Sequence, residues 1–522
     1  MKRHRVLAGI LSSLMLVALT TACSNGSNTS GSTSSNSDGS SENQISTNNT
    51  GRLGKIVIYQ NCGKVQSAGK PGSNEQDFKD VEKYIEDATN IDIEVVVPPT
   101  GEEDNKLNMM LAAQENIDLF WGEWTKYASK GAIQSLTKSL KENGSAIVSA
   151  WGEDAMSQMT DSSGEIWGVP RLSPLVVYPI YVRTDWLKAI GKEAPKTIDE
   201  LEEVLKLFKE KDVAGGGNTV GLLTTKSVNN VMELDMCLAA GFTGKGFGYY
   251  LDSDGKVKPS VLDPKYKDFI QRMSEWYAKG YIYKEAFATD KNTAREMIKK
   301  GNVGVSAMWY STVTMQAPYL TQNNPEATYT LCAPLEGPAG KCETTSAKAA
   351  KGALVPAYSK NVDLVIKYLN WNFEDVENHI VAENGLKDVH WKYTDEANHI
   401  IQLTSENYIG EFVAGQGIAN EKKYSFSDPI KKLHYDYLQK EIINVDRAVV
   451  TNVADTIFDT AAISTAVVNY EDINRMTEEE IAKFITGVRP MSEYDSFIND
   501  LNSIGTDKLI EELTRQYNES KK

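Results

Sequence analysis

Aromatic and acidic side chains stand within four residues of one another at Trp121, Glu123 and Trp124. An indole face packs against apolar C–H groups, and a carboxylate accepts hydrogen bonds from hydroxyl groups. This combination favours capture of a small polar ligand that also has an apolar face, such as a sugar ring. The alternative is that these tryptophans are large core residues, as we expect for Trp186 and Trp276.

Side chains of the same kinds occur elsewhere in the chain. Arg171 closes the segment 164–171, and its guanidinium can donate a fork of hydrogen bonds to a ligand; a surface salt bridge is the competing interpretation. Trp309 and Tyr310 form a second aromatic pair. The candidate ligand-binding residues are Trp121, Glu123, Trp124, Trp167, Arg171, Tyr178, Trp309, Tyr310 and Asn61.

Motifs of catalysis and metal binding are missing from the sequence. There is no His-Glu-x-x-His and no Gly-x-Ser-x-Gly, and neither the histidines nor the cysteines have ligand spacing. We therefore predict no enzyme activity, no cofactor and no metal. A disulfide between Cys332 and Cys342 and a pair of free thiols are equal alternatives. Because paired carboxylates have no sequence signature, an extracellular glycoside hydrolase is the alternative class.

The first 22 residues have the pattern of a secretory signal. Lys2, Arg3 and Arg5 precede an apolar run over 6–19, which is too short for a stable spanning helix. The run ends before Cys23 in a stretch that resembles a bacterial lipobox, so we predict lipidation of Cys23. An ordinary signal with an incidental cysteine is the alternative.

The residues after Cys23 are almost entirely Ser, Asn, Thr and Gly up to Thr50. Such a stretch has no apolar cluster that could offset the entropy of ordering, so 23–52 is predicted to be a flexible tether. The remaining chain is long enough for two lobes. A net charge of −16 argues against nucleic acid as a partner, because long-range repulsion would oppose binding.

The apolar pattern of the next segment predicts an α/β sheet. The run 55–59 and the alternating run 91–97 are typical of strands, and 75–88 has helical spacing between them. A strand, helix and strand in this order imply a parallel pair. A third strand over 117–121 would place Trp121 near a strand end, where ligands collect in open α/β sheets.

The second half shows clear helix starts and a further strand. Thr197 and Glu200 form a capping box ahead of an apolar helix, and Asp263 with Pro264 predicts another helix start. The apolar strand 303–308 leads directly into Trp309. The segment after 420 is expected to be mostly helical.

Four stretches together resemble one known family, the extracellular solute-binding proteins of family 1, in particular the large lipoprotein branch that serves carbohydrate ABC importers. These stretches are 106–122, 164–171, 181–208 and 276–309. The resemblance implies an α/β, two-lobed type II periplasmic-binding-protein fold with a hinge between the lobes. It also implies that Trp121 and Trp309 line the cleft.

The resemblance further implies the lobe boundaries, the function and the location. Lobe 1 would hold 53–180 and 329–373, and lobe 2 would hold 181–328 and 374–522. The protein would act as a monomer on the outer face of the cell membrane, held by its lipid anchor, and pass a carbohydrate, such as an oligosaccharide, to importer subunits. A peptide or another polar nutrient is the alternative ligand.

Two acidic loops partly match calcium-binding patterns, and many members of this branch carry a calcium-type loop at the position of the first. The segment 212–218 has lost most of the carboxylates that a calcium loop needs. In 252–255, the position that should supply a bidentate Glu is Val261, so a hairpin turn is the better interpretation. No calcium is predicted at either place.

Overall fold

The computed structural model describes residues 51–61, 72–99, 102–171, 176, 178–225, 233–314, 316, 319–320, 324, 326–345, 351–412, 418–441 and 444–521. The predicted signal sequence, Cys23 and most of the predicted tether lie outside these residues. The strands are β1 (Lys55–Tyr59), β2 (Asp92–Val96), β3 (Phe120–Glu123), β4 (Val169–Pro170), β5 (Ile180–Arg183), β6 (Val220–Leu223), β7 (Tyr249–Leu251), β8 (Val257–Pro259), β9 (Val303–Ala307), β10 (Tyr329–Leu331), β11 (Glu336–Gly337), β12 (Gly340–Lys341), β13 (Lys351–Leu354), β14 (Trp391–Asp395), β15 (Ile400–Leu403) and β16 (Ser425–Phe426).

The helices connect these strands. They are α1 (Glu75–Thr89), α2 (Glu103–Ala113), α3 (Trp124–Ala128), α4 (Thr137–Asn143), α5 (Ser145–Ser157), α6 (Thr184–Ile190), α7 (Ile198–Lys211), α8 (Glu233–Leu238), α9 (Ala240–Thr243), α10 (Tyr266–Ala278), α11 (Lys291–Lys299), α12 (Tyr310–Thr314), α13 (Val362–Glu374), α14 (Val376–Asn384), α15 (Ile418–Glu421), α16 (Pro429–Asp436), α17 (Thr460–Ala466), α18 (Tyr470–Thr486), α19 (Tyr494–Leu501) and α20 (Asp507–Ser520).

The predicted strand, helix and strand at the start of the folded chain are confirmed. β1 and β2 pair in parallel, and α1 lies between them in sequence. The Asn74 side chain caps α1, and its apolar face buries Val81 and Ile85. Complete burial of each of these two side chains stabilises the fold by about 1.5–3 kcal/mol.

The third strand begins later than the sequence predicts. Before it, the backbone N–H groups of Asp118 and Leu119 donate to the Val57 carbonyl of β1, and the Asp118 carboxylate accepts the Val57 N–H at 2.9 Å. Regular pairing with β13 begins at Phe120 and runs to Glu123, because the carbonyl of Val355, the residue after β13, accepts the Gln134 N–H instead. β4 pairs with the other side of β13, which completes this sheet.

The second sheet has the order β10, β5, β9, β6. β6 and β9 are parallel, whereas β5 is antiparallel to both of its neighbours. The predicted strand before Trp309 is confirmed as β9. Trp186 and Trp276 are buried in the core beneath this sheet, as expected.

Two large groups of buried side chains form separate cores. The first core takes residues from β1, α1, α5 and α13, and it also includes buried residues from Ile380 to Leu438. The second core takes residues from α7, α10 and the last helices. The predicted second lobe included all of 374–522, so part of that segment packs in the first core; the lobe boundaries stay a prediction.

Helix starts show one confirmed prediction and one error. The Thr197 hydroxyl accepts the N–H of Glu200 at the start of α7, as predicted. Asp263 does not cap α10, which begins at Tyr266. Its carboxylate instead accepts the Lys265 N–H, which forms a turn before the helix. The same carboxylate also pairs with Lys245 Nζ at 2.9 Å. None of the helices in the described ranges is long and apolar enough to cross a membrane.

Candidate functional site

Three strands, β1 of a two-stranded sheet and β3 and β4 of the neighbouring three-stranded sheet, end at one edge, which we call the first edge. A backbone bridge between Ile58 and Leu119 sets β1 parallel to the chain entering β3, and both β3 and β4 run antiparallel to β13. Their carboxyl ends therefore lie together. The candidate residues that follow these ends are Asn61, Glu123, Trp124 and Arg171.

Asn61 is used in full to hold the neighbouring strand. Its amide donates to the carbonyl of Trp121 at 2.8 Å and accepts the N–H of Trp121 at 2.9 Å. Trp121 itself is only 4% exposed and lies in the first core. Its indole Nε1 has no hydrogen-bond partner among the described residues. Asn61 thus fixes the backbone of the edge, and Trp121 packs behind it.

Trp124 and Trp167 present half-buried indoles beside this edge. Their rings are nearly parallel, with 6.4 Å between centroids and 6° between planes. Trp124 Nε1–H donates to the Gln158 carbonyl and Trp167 Nε1–H to the Asp161 carboxylate, both at 2.8 Å. Because both indole N–H groups are satisfied from behind, the ring orientations are set without a ligand.

Hydrogen bonds also set the charge of Asp161. Partial burial raises the pKa of its carboxyl, but bonds from Ser163, Trp167 and Glu165 outweigh it, and the pKa lies below its ordinary value. Asp161 is therefore ionised at neutral pH and acts as a fixed acceptor for the Trp167 indole.

Glu123 and Arg171 are the charged candidates of the first edge. Glu123 Oε1 accepts the hydroxyls of Thr125 and Thr460, each at 3.1 Å. Thr460 begins α17, whose Ile463 lies in the second core, so Glu123 bridges the two cores. Arg171 is half-buried, and its backbone N–H donates to Lys351 at 3.2 Å.

The second sheet presents a comparable edge, which we call the second edge. β6 and β9 are parallel and end together, and the antiparallel β5 begins at the same level, because Ile180 pairs with Ala307. Thr225 follows β6, Trp309 follows β9 and Tyr178 precedes β5. Three widely separated segments therefore converge at this edge.

The aromatic candidates of the second edge contact one another. Trp309 is half-buried and meets Tyr178 edge to face, with 5.4 Å between centroids. Tyr178 packs against both cores. Tyr310 is buried and stacks on Tyr437 at 4.9 Å and on His434 at 5.5 Å. Tyr178 and Trp309 are thus partly exposed at this edge, whereas Tyr310 is buried.

Sequence reasoning missed Glu233, a buried carboxylate at the second edge. Its Oε2 accepts the Thr225 hydroxyl at 2.5 Å, Lys291 Nζ lies 3.5 Å from Oε1, and the nearby Trp309 backbone lowers the pKa of the carboxyl. Burial raises the pKa of Glu233, and these three partners offset part of the rise. No local motif marks Glu233, because its partners come from distant parts of the chain.

A buried ion pair joins the segments that cross between the cores. Arg447 contacts Glu343 at 2.8 Å and donates to the Cys332 carbonyl at 2.6 Å. The Cys332 backbone N–H in turn donates to the Ile180 carbonyl at 2.9 Å. Burial raises the pKa of Glu343 to about 7 against the opposing effect of Arg447. The Arg447–Glu343 ion pair therefore holds Cys332, which follows β10 and is itself hydrogen-bonded to Ile180 at the start of β5.

The cysteines and the first acidic loop are the remaining residues that could bind a metal ion. Cys237, Cys332 and Cys342 are free and buried, and burial raises the pKa of Cys332 to about 12. Asp212 accepts Gly217 N–H and the Thr219 hydroxyl at 2.7 Å each, so its loop closes on itself. Within the described ranges, no three His, Cys, Asp or Glu side chains are grouped to hold a metal ion.

In the second acidic loop, a lysine side chain takes the place that a metal ion would occupy between the carboxylates. β7 and β8 form the predicted hairpin, and Lys258 Nζ lies 2.8 Å from both Asp252 and Asp254. These contacts lower the pKa of Asp252 to about 2. The two carboxylates are neutralised by a side chain of the same hairpin.

Two large cores and the sheets that carry the first and second edges, joined by crossing segments, are those of a two-lobed α/β fold of the type II periplasmic-binding-protein class. Residues 72–375, more than half of the chain, match the profile of the family described as bacterial extracellular solute-binding protein. The chain belongs to this family.

Similar proteins extend the match over most of the chain. Lipoprotein LipO of Bacillus subtilis is 23% identical over 87% of this chain and 91% of its own length. The polygalacturonan/rhamnogalacturonan-binding protein YtcQ of the same species is 21% identical over 84% of this chain and 88% of its own. The solved structure of the Streptococcus pneumoniae substrate-binding protein FusA with kestose matches 90% of this chain and 99% of its own, at 17% identity and a TM-score of 0.65.

Proposed function

We propose that this protein captures a carbohydrate, such as an oligosaccharide, outside the cell and delivers it to an ABC importer. The observation that carries the proposal is that each of the two edges has half-buried indoles and a carboxylate at its strand ends. Rings of sugars have apolar faces that stack on indoles, and rims of hydroxyl groups that bond to polar side chains. Family membership is consistent with binding rather than with chemical conversion.

The names of similar proteins support a carbohydrate over a peptide. YtcQ is described as binding polygalacturonan and rhamnogalacturonan, and FusA as a fructooligosaccharide ABC transporter substrate-binding protein. Two hinged lobes that close over such a ligand would account for the crossing segments at Cys332 and Ile180. We propose delivery as a monomer.

We also propose that Cys23 carries the lipid that holds the protein at the outer face of the membrane. The basic residues before the apolar run 6–19 and the relative named a lipoprotein support this. Two acyl chains give stable anchoring, at about 0.8 kcal/mol per buried methylene.

Binding is tested by titration calorimetry of the mature protein against neutral oligosaccharides, acidic oligosaccharides and peptides. We expect heat from at least one carbohydrate. That carbohydrate should be unchanged when it is recovered after long incubation, and small-angle scattering should give a smaller radius of gyration for the bound protein. Heat from peptides alone refutes the carbohydrate, and release of shorter sugars supports the glycoside hydrolase.

Anchoring is tested by expressing the full chain and a Cys23→Ser variant in a Gram-positive host. The unsubstituted chain should stay with the membrane fraction and incorporate labelled fatty acid. The variant should appear in the medium without label. Equal membrane association of both chains contradicts lipidation at Cys23.

A further inference from the structure

Glu233 combines burial and incomplete pairing in a way that an ordinary core carboxylate does not. Only 3% of the residue is exposed. Its Oε2 accepts the Thr225 hydroxyl, but Oε1 accepts no hydrogen bond among the described residues, with Lys291 Nζ at 3.5 Å. A buried carboxylate normally has hydrogen bonds to both oxygens, because an unsatisfied one loses its water without compensation.

The surroundings of Glu233 are those of a ligand contact. It lies at the second edge, where β6 and β9 end in parallel, the position at which ligands bind in open α/β sheets. The Trp309 backbone lies close enough to lower the pKa of this carboxyl, so the acceptor and the half-buried indole are neighbours. The Tyr178 ring packs against that indole.

We infer that Glu233 binds the ligand directly: its carboxylate accepts hydroxyl groups of an uncharged sugar residue that rests on Trp309, and it excludes uronic acids from this position. The inference rests on the proposed function and specifies its ligand class. An ionised carboxylate on a sugar placed here would face the Glu233 carboxylate in a site with little water, whereas hydroxyl groups supply the donors that Oε1 lacks.

Lys291 does not reverse this preference. Its side chain is about one-third exposed and already lies against Glu233, so the pair contributes little net positive charge to a ligand. The charged candidate of the first edge that bonds to Thr460, Glu123, is a carboxylate as well. The inference therefore favours neutral oligosaccharides, although the similar protein YtcQ is described as binding acidic polysaccharides.

The inference is tested on an array of neutral and uronate-containing oligosaccharides, with the hits measured by calorimetry. We expect wild-type protein to bind neutral members. Glu233→Gln, which keeps the shape but loses the charge, should weaken that binding at least tenfold. Glu512→Gln is the matched control, because Glu512 is a buried carboxylate on α20 whose partners are Arg515 and Gln516. It should leave affinity unchanged.

A stability readout separates ligand contact from a structural role. Since burial raises the pKa of Glu233, its ionised form costs stability at neutral pH. Glu233→Gln should therefore keep or raise the melting temperature while it weakens binding. If this variant fails to fold, Thr225→Val provides the second test, because it removes only the hydroxyl that orients Oε2 and should weaken binding severalfold.

Each outcome has one meaning. Loss of neutral-sugar binding with retained stability supports the inference. Unchanged affinity in Glu233→Gln, or a wild type that prefers uronates, overturns the inference and leaves the proposed function standing. An array without any carbohydrate signal, from protein that is folded, overturns both.

Discussion

The first edge and the second edge differ in how their polar groups are satisfied. At the first edge, the indole N–H groups of the half-buried Trp124 and Trp167 and both amide atoms of Asn61 have protein partners, and the donor without one belongs to the buried Trp121. At the second edge, one oxygen of the buried Glu233 accepts no hydrogen bond within the described residues. The first edge is therefore a preformed aromatic surface, and the second supplies an acceptor that a ligand can complete.

The sharpest way to divide the first edge is to separate its buried tryptophan from its half-buried ones. We expect Trp121→Ala to lower the free energy of unfolding by about 3–5 kcal/mol, because it leaves a cavity in the first core. Urea unfolding followed by circular dichroism measures this. A loss below about 1 kcal/mol, together with weakened binding, would instead assign Trp121 to the cleft, as the sequence suggested.

At the second edge, the half-buried Trp309 should act on affinity more than on stability. We expect Trp309→Ala to weaken binding of the cognate sugar by about 2 kcal/mol, because the stacking surface for the ring is removed. Calorimetry measures this change, and Trp309→Phe, which retains an aromatic face, should recover part of the affinity. Identical affinity for wild type and Trp309→Ala contradicts the placement of the ligand at this edge.

Asn61 tests whether the first edge depends on being preformed. Asn61→Ala should reduce stability by about 1–2 kcal/mol, because two hydrogen bonds to the Trp121 backbone are lost. Asn61→Asp keeps the acceptor but sets a carboxylate oxygen against the Trp121 carbonyl in place of the donor, so its loss of stability should be at least as large. Chemical denaturation of both variants provides the comparison, and a smaller loss in Asn61→Asp would show that the donor bond contributes little.

The smallest expected effect is a dependence of the first edge on acid. The pKa of Asp161 lies below its ordinary value, so this carboxylate stabilises the fold above the unfolded-state pKa of about 3.9, and that contribution is lost as the pH falls further. We expect the melting temperature to fall below pH 4 less steeply in Asp161→Asn than in wild type. Parallel curves for the two proteins would assign the acid sensitivity to other groups.

Local patterns in the sequence were enough for the elements but not for the second edge. The spacing in 75–88 predicted α1, and the β-branched run 55–59 predicted β1, because both depend on neighbouring residues. The start of β3 was misplaced, since Asp118 and Leu119 bond to Val57 of β1 and the ladder with β13 begins only at Phe120. The site at Glu233 depends on Thr225, Lys291 and Trp309 meeting in space, which no single segment records.

The same limit applies to the two cores. Buried residues between Ile380 and Leu438 belong to the first core, although they follow the crossing segments in sequence. Their apolar periodicity predicts helices and strands but does not say which core they join. The first edge was closer to prediction, because Trp121, Glu123 and Trp124 are adjacent in the chain; the contacts from Gln158 and Asp161 that orient the indoles were missed.

The first core takes its earliest member at Ile56 and its last at Leu438. A chain that leaves the ribosome or a translocation channel from its N-terminus cannot close this core until most of its length has emerged, so its long-range contacts form late. The unfinished chain therefore stays loose enough to be threaded through a narrow pore, and it completes its packing only on the far side.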